Sequence, residues 1–441
     1  MRYAVIGAGA LGLTAAMRLA DQGHEVTVLE QASAVGGLAS SFEVAPGIWL
    51  ERFYHHFFGS DRSAIRLIEE LGLGPRLHWH EPVSTVLVDR TVHRLDSPSS
   101  LLRFTPLSVV DRLRMAATLG LLRVMPSPRP LERATADAWM RRMCGRRGHE
   151  LVWGSLLEAK FGQYADVVSM AWMWGRLHDR TTKLGYLDGG VEPIYRALAE
   201  RVAARGGRIV LGAQVGSISR SAGGLEVAWR RTDDPDVTIE AFDRVVSTLP
   251  PAVTRRLSGQ APAETAGFPP LAAHCLVLAL DRPLTGTYWI GVPGSSWPFM
   301  AVVEHTAMLP PEAYGGRHLV YLGAYRPADD TLPAAPLAAQ LEAARPLLEA
   351  LRPGFSPDWV TDAWSFHAPN AQPIVDTGYR ARLPGFDTDV PGLFNATMFQ
   401  VYPHDRGQNY SIELAERLVA YLSQAGAAEG STERSAGGAG A

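Results

Sequence analysis

Cysteine and lysine are both scarce in this 441-residue sequence. The two cysteines, Cys144 and Cys275, cannot form a disulfide framework and match no CxxC metal or redox spacing. Lysine occurs only at Lys160 and Lys183, so the combined Lys and Arg count of 42 leaves 40 arginines. A net charge of −3 at pH 7 offers no basic excess of the kind that nucleic-acid binding requires. Disulfide scaffolds, extensive lysine chemistry and nucleic-acid partners are therefore not expected.

Long apolar runs and hydrolase motifs are also missing. No run approaches the roughly 18 apolar residues that cross a bilayer, and the His, Asp and Glu residues show no HExxH or other metal-ligand spacing. No GxSxG elbow occurs, so neither a metal site nor a nucleophilic serine is predicted. Because a strand already begins at residue 3, we expect no signal peptide and a cytoplasmic location.

The most informative segment, residues 3–37, reads YAVIGAGALGLTAAMRLADQGHEVTVLEQASAVGG. A short apolar strand leads into three glycines, and an amphipathic helix, a second strand and Glu30 follow. Gly7 permits a tight turn, Gly9 lets a pyrophosphate approach the backbone, and Gly12 allows the helix to pack closely on the strand. The helix N-terminus offers free N–H groups to phosphate, and the carboxylate accepts ribose hydroxyls. This spacing predicts a dinucleotide site, and Glu30 disfavours the 2′-phosphate of NADP.

A second glycine pair decides which dinucleotide is expected. Gly36 and Gly37 follow Glu30 by six and seven positions, and Ser40 and Ser41 come next. This pattern resembles the extended fingerprint of FAD-containing flavoproteins, in which the second pair lets the backbone close over the pyrophosphate. The resemblance predicts FAD, with cofactor contacts at Gly7, Gly9, Ala10, Leu11, Gly12, Glu30, Gln31, Gly36, Gly37 and Leu38.

Four blocks along the chain resemble the flavoprotein superfamily of amine oxidases, protoporphyrinogen oxidases, phytoene desaturases and UDP-galactopyranose mutases. They are residues 3–41, then GYLDGG with a helix and GGRIVLGAQV, then RVVSTLPP, and finally the strand and helix over 392–422. By resemblance, a backbone amide near Val215 would lie against the adenine. Gly407 and Asn409, at the start of the last helix, would lie beside the flavin.

The resemblance implies an α/β fold in which a Rossmann-like FAD-binding domain is interleaved with an α+β substrate domain. A chain of 441 residues, 46% hydrophobic and 20% charged, suits two globular domains. We expect the FAD-binding domain to comprise residues 1–80, 181–255 and 360–423, and the substrate domain to comprise 81–180 and 256–359. The tail over 424–441, rich in Gly, Ala and Ser, is expected to be disordered.

Three departures from the family's pattern narrow this expectation. Amine oxidases carry an acid near the end of the chain that binds the ribityl group, whereas residues 395–398 read NATM. Neither cysteine lies in the C-terminal block where that family links its flavin covalently, so non-covalent FAD is expected. No lysine follows Lys183, which removes the lysine that amine oxidases place beside flavin N5. A true amine oxidase is therefore disfavoured.

The segment HHFFGSD, residues 55–61, supplies the candidate catalytic residue. It resembles the mutase pattern in which a histidine lies over the flavin, and His56 is the matching residue; a buried structural histidine is the alternative. His55 is expected to point elsewhere, because neighbours alternate faces in extended chain. Arg52 is expected to pair with a phosphate or an acid, and residues 404–406 form either a polar cluster or a solvated loop. Five tryptophans either line the pocket or pack in the core: Trp153, Trp172, Trp174, Trp289 and Trp364.

Two enzyme functions remain open, beside a flavin-binding scaffold without catalysis. The first is an FAD-dependent oxidoreductase that moves a hydride from a C–H bond of a small molecule, such as a lipid or isoprenoid, to flavin N5. The alternative is a mutase-like, non-redox flavoenzyme acting on a nucleotide sugar, with Arg176, Arg180 and Arg326 available for the diphosphate. The helix predicted over residues 106–124 either packs on the substrate domain or rests on a membrane surface.

Overall fold

A computed structural model describes residues 1–261, 267–294 and 297–437. The strands are β1 (Arg2–Ile6), β2 (Glu25–Glu30), β3 (Ser41–Ala45), β4 (Ile48–Glu51), β5 (Phe57–Phe58), β6 (Leu77–His80), β7 (Ser84–Val88), β8 (Thr91–Arg94), β9 (Leu184–Leu187), β10 (Arg208–Leu211), β11 (Ala213–Ser221), β12 (Gly224–Arg231), β13 (Val237–Phe242), β14 (Arg244–Ser247), β15 (Leu271–Leu280), β16 (Trp289–Gly291), β17 (Ala301–Glu304), β18 (His318–Arg326), β19 (Val360–Gln372) and β20 (Leu393–Asn395). The α-helices are α1 (Ala10–Asp21), α2 (Arg62–Glu70), α3 (Pro98–Leu102), α4 (Val109–Val124), α5 (Ala136–Gly148), α6 (Gly154–Phe161), α7 (Met170–His178), α8 (Glu192–Ala204), α9 (Pro251–Leu257), α10 (Leu337–Leu351) and α11 (Gln408–Gly437).

A parallel sheet in the order β10-β2-β1-β14-β20 forms the first layer. Its central strands are short and almost wholly buried, as expected for a parallel sheet covered on both faces. Helices α1, α8 and α11 cover one face, where Leu13, Ile194 and Leu418 belong to one apolar cluster. Strand β1 is central: β2 and β10 lie on one side of it, and β14 and β20 lie on the other. Dinucleotide-binding folds share this arrangement, in which the strand order changes direction at the first strand. The predicted α/β, Rossmann-like class is confirmed.

A larger mixed sheet, in the order β19-β15-β18-β17-β16-β7-β8, forms the second layer. Every residue of β15 is buried, and α10 covers this sheet through Ala344, Leu347 and Leu348. Strand β19 pairs along β15, so residues 360–372 belong with this sheet and not with the FAD-binding segment predicted to begin at 360. Strand propensity alone does not reveal which sheet a strand joins. The rest of the predicted division into domains stays a prediction.

Capping residues mark the starts of two helices in the sequence. The side chain of Ser108 caps α4 by accepting the Asp111 N–H, and Thr135 caps α5 by accepting from Ala138. Helix α4 ends at Val124, the predicted end of this helix, and Pro126, which cannot continue a helix, follows two residues later. The end of the chain differs from the expectation: α11 continues to Gly437, so residues 424–437 are helical, and 438–441 lie outside the described residues. Extending an existing helix costs far less than nucleating one, and the tail is rich in alanine.

Candidate functional site

The first glycine turn joins β1 to α1 through a tight bend. The Gly7 N–H donates to the Leu29 carbonyl at 2.8 Å, and Gly7 has φ +102°. A Cβ at Gly12 would lie 1.9 Å from the Gly7 carbonyl oxygen. Glycine is therefore required at position 12 because the helix packs directly on the turn.

Gly9 faces open space and a second glycine turn. A Cβ placed on Gly9 would meet only the Gly37 Cα, at 3.9 Å, and a parallel bridge joins Gly9 to Gly36. No side chain caps α1 at Gly9, so the first N–H groups of the helix, including those of Ala10 and Leu11, have no capping partner there. We call residues 7–12 and 36–38 the glycine cradle. Its open backbone and helix N-terminus fit a pyrophosphate.

Glu30 closes the turn from the end of β2. One carboxylate oxygen accepts the Ala8 N–H at 2.6 Å, and the other accepts the Ala32 N–H at 2.8 Å. Each oxygen keeps a further lone pair for a ribose hydroxyl. The Gly212 N–H donates to the Ala32 carbonyl at 2.9 Å, which anchors β11 beside this turn. Gln31 adjoins Glu30 on the surface, and Val215 lies three residues along the chain from Gly212, before a bulge in β11.

A cavity of about 250 Å³ is lined by β15 and β18 of the mixed sheet, by α7 and by the start of α11. Its volume is close to the lower end of the roughly 300–1,000 Å³ typical of ligand sites. The predicted residues Leu38, His56, Gly407 and Asn409 all line it. The Asn409 side chain is already used, because its Oδ1 accepts the N–H groups of Ser63 and Ala64 at the start of α2. Asn409 can therefore offer a ligand its side-chain NH₂ group, but its Oδ1 is already occupied by two donors.

His56 lies in the cavity wall as a neutral side chain. Its Nδ1 hydrogen-bonds the Tyr288 hydroxyl at 3.1 Å, and its ring packs edge-on against Phe58. Burial, followed by the nearby charge of Arg180, lowers the pKa of His56 to about 3. His55 also lines the cavity, so the expectation that it points elsewhere is wrong. Residues 54–56 precede β5 as irregular chain, where strict alternation does not hold.

A charged cluster around Asp405 forms another part of the wall. Lys160 on α6 and Arg176 on α7 contact one Asp405 oxygen at 3.0 and 3.3 Å. Although burial opposes ionisation, the charges of Lys160 and Arg176 hold the pKa of Asp405 well below its usual range. Arg406 donates to the Tyr325 hydroxyl at 2.5 Å. Residues 404–406 therefore include a structured polar cluster and are not simply a solvated loop.

Lys160 was missed by the sequence analysis. It is 4% exposed and lines the cavity, although it comes from α6 and not from the later segment where amine oxidases carry their lysine. The absence of lysine after Lys183 therefore did not exclude a lysine from the site. The available signal was rarity, since Lys160 is one of only two lysines.

Two more carboxyl groups, Asp61 and Asp179, line the same cavity. Asp179 contacts His178 and His404 at 2.6 and 2.8 Å, and these hydrogen bonds keep its pKa below the usual range despite burial. Burial raises the pKa of Asp61 to about 6, while its carboxylate accepts the Phe58 N–H at 2.8 Å. The cavity lining therefore combines four cationic side chains (Lys160, Arg176, Arg180 and Arg406) with three carboxyl groups (Asp61, Asp179 and Asp405).

The remaining candidates divide between the cavity and the core. Trp289 lines the cavity, whereas Trp364 packs on Phe42 and three tryptophans belong to a buried cluster: Trp153, Trp172 and Trp174. Arg326 is engaged by Asp330 at 2.8 Å and is not part of the cavity lining. Among the described residues, Arg52 Nε is buried without a hydrogen-bond partner, which leaves it available to a ligand.

The cysteines are both buried thiols. Cys275 lines the cavity, which the sequence did not indicate, but burial raises its pKa and so keeps it protonated. Burial likewise raises the pKa of Cys144 to about 11. Over the described part of the chain, no group of three or more His, Cys, Asp or Glu residues is arranged to hold a metal ion.

The parallel sheet, the glycine cradle and the cavity at the junction define a dinucleotide-binding α/β protein with an enclosed ligand site. The sequence model of the flavin-containing amine oxidoreductase family matches residues 12–404, and the chain belongs to that family. The predicted class of enzyme, a flavin-dependent oxidoreductase, is thereby confirmed.

Relatives with known names share shorter segments. The 15-cis-phytoene desaturase of Synechococcus elongatus is 39% identical over 79 residues, which are 18% of this chain and 17% of the desaturase. The matched segment thus spans less than a fifth of that relative.

Solved structures share the fold over nearly the whole chain. A protein from Exiguobacterium sp. 255-15, provisionally assigned as a protoporphyrinogen oxidase, superposes with a TM-score of 0.72 at 18% identity, covering 96% of this chain and 98% of its own. Reduced UDP-galactopyranose mutase gives a TM-score of 0.70 at 14% identity, covering 96% and 94%. At these identities the likeness concerns the fold alone. None of the helices in the described residues is long and apolar enough to cross a membrane.

Proposed function

We propose that this chain is a dehydrogenase or desaturase that binds FAD non-covalently and transfers a hydride from a substrate C–H bond to the flavin. The observation that carries the proposal is the continuity of the two sites. Leu38 belongs to the glycine cradle and also lines the cavity, so a dinucleotide held at the cradle would extend towards the cavity. The cavity is thus where a flavin ring and a substrate would meet.

Residues already in place would hold the cofactor. The cradle amides suit the pyrophosphate, and the free lone pairs of Glu30 suit a ribose. Gly407 and the first turn of α11 present backbone amides to the cavity, where negative charge on a ring would be stabilised. When bound, the flavin would supply the electron-accepting centre. Non-covalent attachment is supported by the raised pKa values of Cys144 and Cys275, because protonated thiols are weak nucleophiles.

His56 would position the substrate without exchanging a proton near neutral pH. A neutral imidazole has one donor and one acceptor nitrogen, and its Nδ1 is held by Tyr288. The other ring nitrogen is then fixed in direction by the packing against Phe58. This arrangement suits orientation of a polar group on the substrate more than general acid catalysis.

Anaerobic bleaching of the FAD-loaded protein tests the proposal. Candidate isoprenoids, sterols, amines and nucleotide sugars are added in turn, and the flavin absorbance is followed. The proposal expects at least one class to bleach the oxidised flavin, with release of a product that has lost two hydrogen atoms. Turnover that needs reduced flavin and causes no net electron transfer would contradict it.

The second candidate is a non-redox enzyme that acts on a nucleotide sugar, as UDP-galactopyranose mutase does by name. Arg176 and Arg180 line the cavity, which favours this reading, whereas Arg326 is engaged elsewhere. Isomerisation of UDP-galactopyranose by dithionite-reduced protein, with no activity in oxidised protein, would select it over the dehydrogenase.

We also propose that α4 rests on an anionic membrane surface. Val110, Leu113 and Val124 are 72%, 57% and 76% exposed and follow a helical stripe, while Met115 and Leu122 face the core. The exposed side chain of Arg114, which also donates to the Met143 and Arg142 carbonyls of α5, adds positive charge beside this stripe, a feature that favours anionic lipid. The predicted cytoplasmic location stays a prediction.

A further inference from the structure

We propose that the cavity binds its substrate through an anionic group, a carboxylate or a phosphate, held between the guanidinium groups of Arg176 and Arg180. This inference rests on the proposed function and specifies the chemical class of its substrate. A substrate that is a cationic amine or an uncharged hydrocarbon, with no anionic group, is not expected to bind in this way.

The first support is an excess of positive charge in the cavity lining. Four normally cationic side chains line the cavity: Lys160, Arg176, Arg180 and Arg406. Asp405 contacts Lys160 and Arg176 and neutralises one of these charges. The other two carboxyl groups of the lining are Asp179, which His178 and His404 engage, and Asp61, whose pKa of about 6 leaves it mostly ionised at pH 7. The lining therefore holds four cations and three carboxylates and keeps one positive charge in excess.

The second support is that two of these arginines lack acidic partners. Among the described residues, neither Arg180 nor Arg406 has a carboxylate within salt-bridge distance, and the Arg406 Nε is buried with no hydrogen-bond partner. Arg180 is exposed to the cavity and lies over the ring of Phe58. Burial, and then the charge of Arg176, lower the pKa of Arg180 to about 10. Asp405 lies 3.3 Å from Arg176, whereas Arg180 has no acidic partner of its own within salt-bridge distance among the described residues. An anion between the two guanidinium groups would supply that partner.

The third support is that the two arginines share one cavity with His56. Arg176, Arg180 and His56 all line it, and the charges of both arginines add to the effect of burial in lowering the pKa of His56. An anion held there would lie beside His56 and Tyr288, within the wall of the proposed reaction site. A cationic amine at the same point would meet two like charges, which opposes its binding.

The test uses the FAD-loaded protein and four probes of equal chain length: hexanoate, hexyl phosphate, hexylamine and hexanol. Binding is read at constant ionic strength from flavin absorbance and from tryptophan fluorescence, because Trp289 lines the cavity. We expect hexanoate or hexyl phosphate to bind, and the tighter of the two identifies the anionic group. Replacement by Arg180→Gln or Arg176→Gln should weaken that probe about 10- to 100-fold, the loss of one charge-assisted hydrogen bond. Arg180→Lys should retain part of the affinity.

Arg220→Gln serves as the matched control, since Arg220 is exposed on β11 away from the cavity lining, and it should bind the anionic probe like the wild type. Binding of hexylamine or hexanol as tightly as either anion would overturn the proposal. The proposal would also be overturned if Arg180→Gln bound the anionic probe as tightly as the wild type while its flavin reduction potential shifted. In that case Arg180 would contact the flavin and not the substrate anion. Tryptophan fluorescence reports anion binding even if the protein takes up no flavin. Failure of the proposed flavin-dependent function can therefore be distinguished from failure of the proposed anion site.

Discussion

Replacing Gly9 with alanine should weaken the cofactor site while leaving the fold intact. Gly9 has φ −78° and ψ −175°, an extended conformation that alanine adopts, and the new methyl would meet protein only at 3.9 Å. The entropy gained from Gly→Ala and the poorer N-cap nearly offset each other, so the free energy of unfolding of the apoprotein should change by less than about 1 kcal/mol. The methyl would instead occupy the space into which a pyrophosphate must approach. Loss of one such charge-assisted hydrogen bond costs about 1.5–3 kcal/mol, or about 10- to 100-fold in the Kd for FAD.

Two measurements check this prediction. Urea unfolding of the apoprotein gives the stability, and quenching of FAD fluorescence gives the Kd. Gly12→Ala is the contrasting variant, because its Cβ would lie 1.9 Å from the Gly7 carbonyl oxygen and must disturb the turn itself. It should lose both stability and FAD binding. A folded Gly9→Ala protein that binds FAD as tightly as the wild type would refute the assignment of the cradle.

Three further predictions concern other parts of the molecule. Glu30→Ala should lower both apoprotein stability and FAD affinity by about 1.5–3 kcal/mol or more, since it removes acceptors for two backbone N–H groups; unchanged urea unfolding would contradict this. His56→Gln should slow turnover with FAD loading retained, and should flatten the pH dependence of stability. The folded pKa of about 3 lies below the unfolded value of 6.5, so the unfolded chain binds the proton first and stability falls as pH drops from 6.5 towards 3, by at most about 1.4 kcal/mol per pH unit. If the free energy of unfolding of His56→Gln fell equally steeply with pH, His56 would not be the source of this pH dependence. Leu113→Glu should reduce sedimentation with anionic vesicles, whereas Ile239→Glu, at an exposed apolar position on β13, should not; equal losses or no loss would remove the membrane proposal.

Features encoded within a few residues of one another were predictable from the sequence. The glycine turn, the acid at the end of β2 and the caps Ser108 and Thr135 depend on local spacing and hydrogen bonding, and the structure contains them all. Their physical requirements, such as the missing Cβ at Gly12, are met by neighbours in the chain. Local chemistry therefore predicted the class of fold and the glycine turns that we propose hold the cofactor.

Features that depend on distant contacts were not predictable. The contact between Lys160 and Asp405 joins residues 245 positions apart, and no periodicity or spacing announces such a pair. The pairing of β19 with β15 likewise depends on tertiary packing, which strand propensity does not encode. His55 shows a smaller failure of the same kind, because irregular chain before β5 turned both histidines into the cavity wall.

The visible absorbance spectrum of the purified protein, followed by analysis of the small molecule released on denaturation, tests the central claim most directly. We predict a yellow protein with the bands of oxidised flavin, and intact FAD in the supernatant after acid precipitation, with no flavin left on the polypeptide. A colourless, fully folded protein that takes up no added FAD would contradict the account.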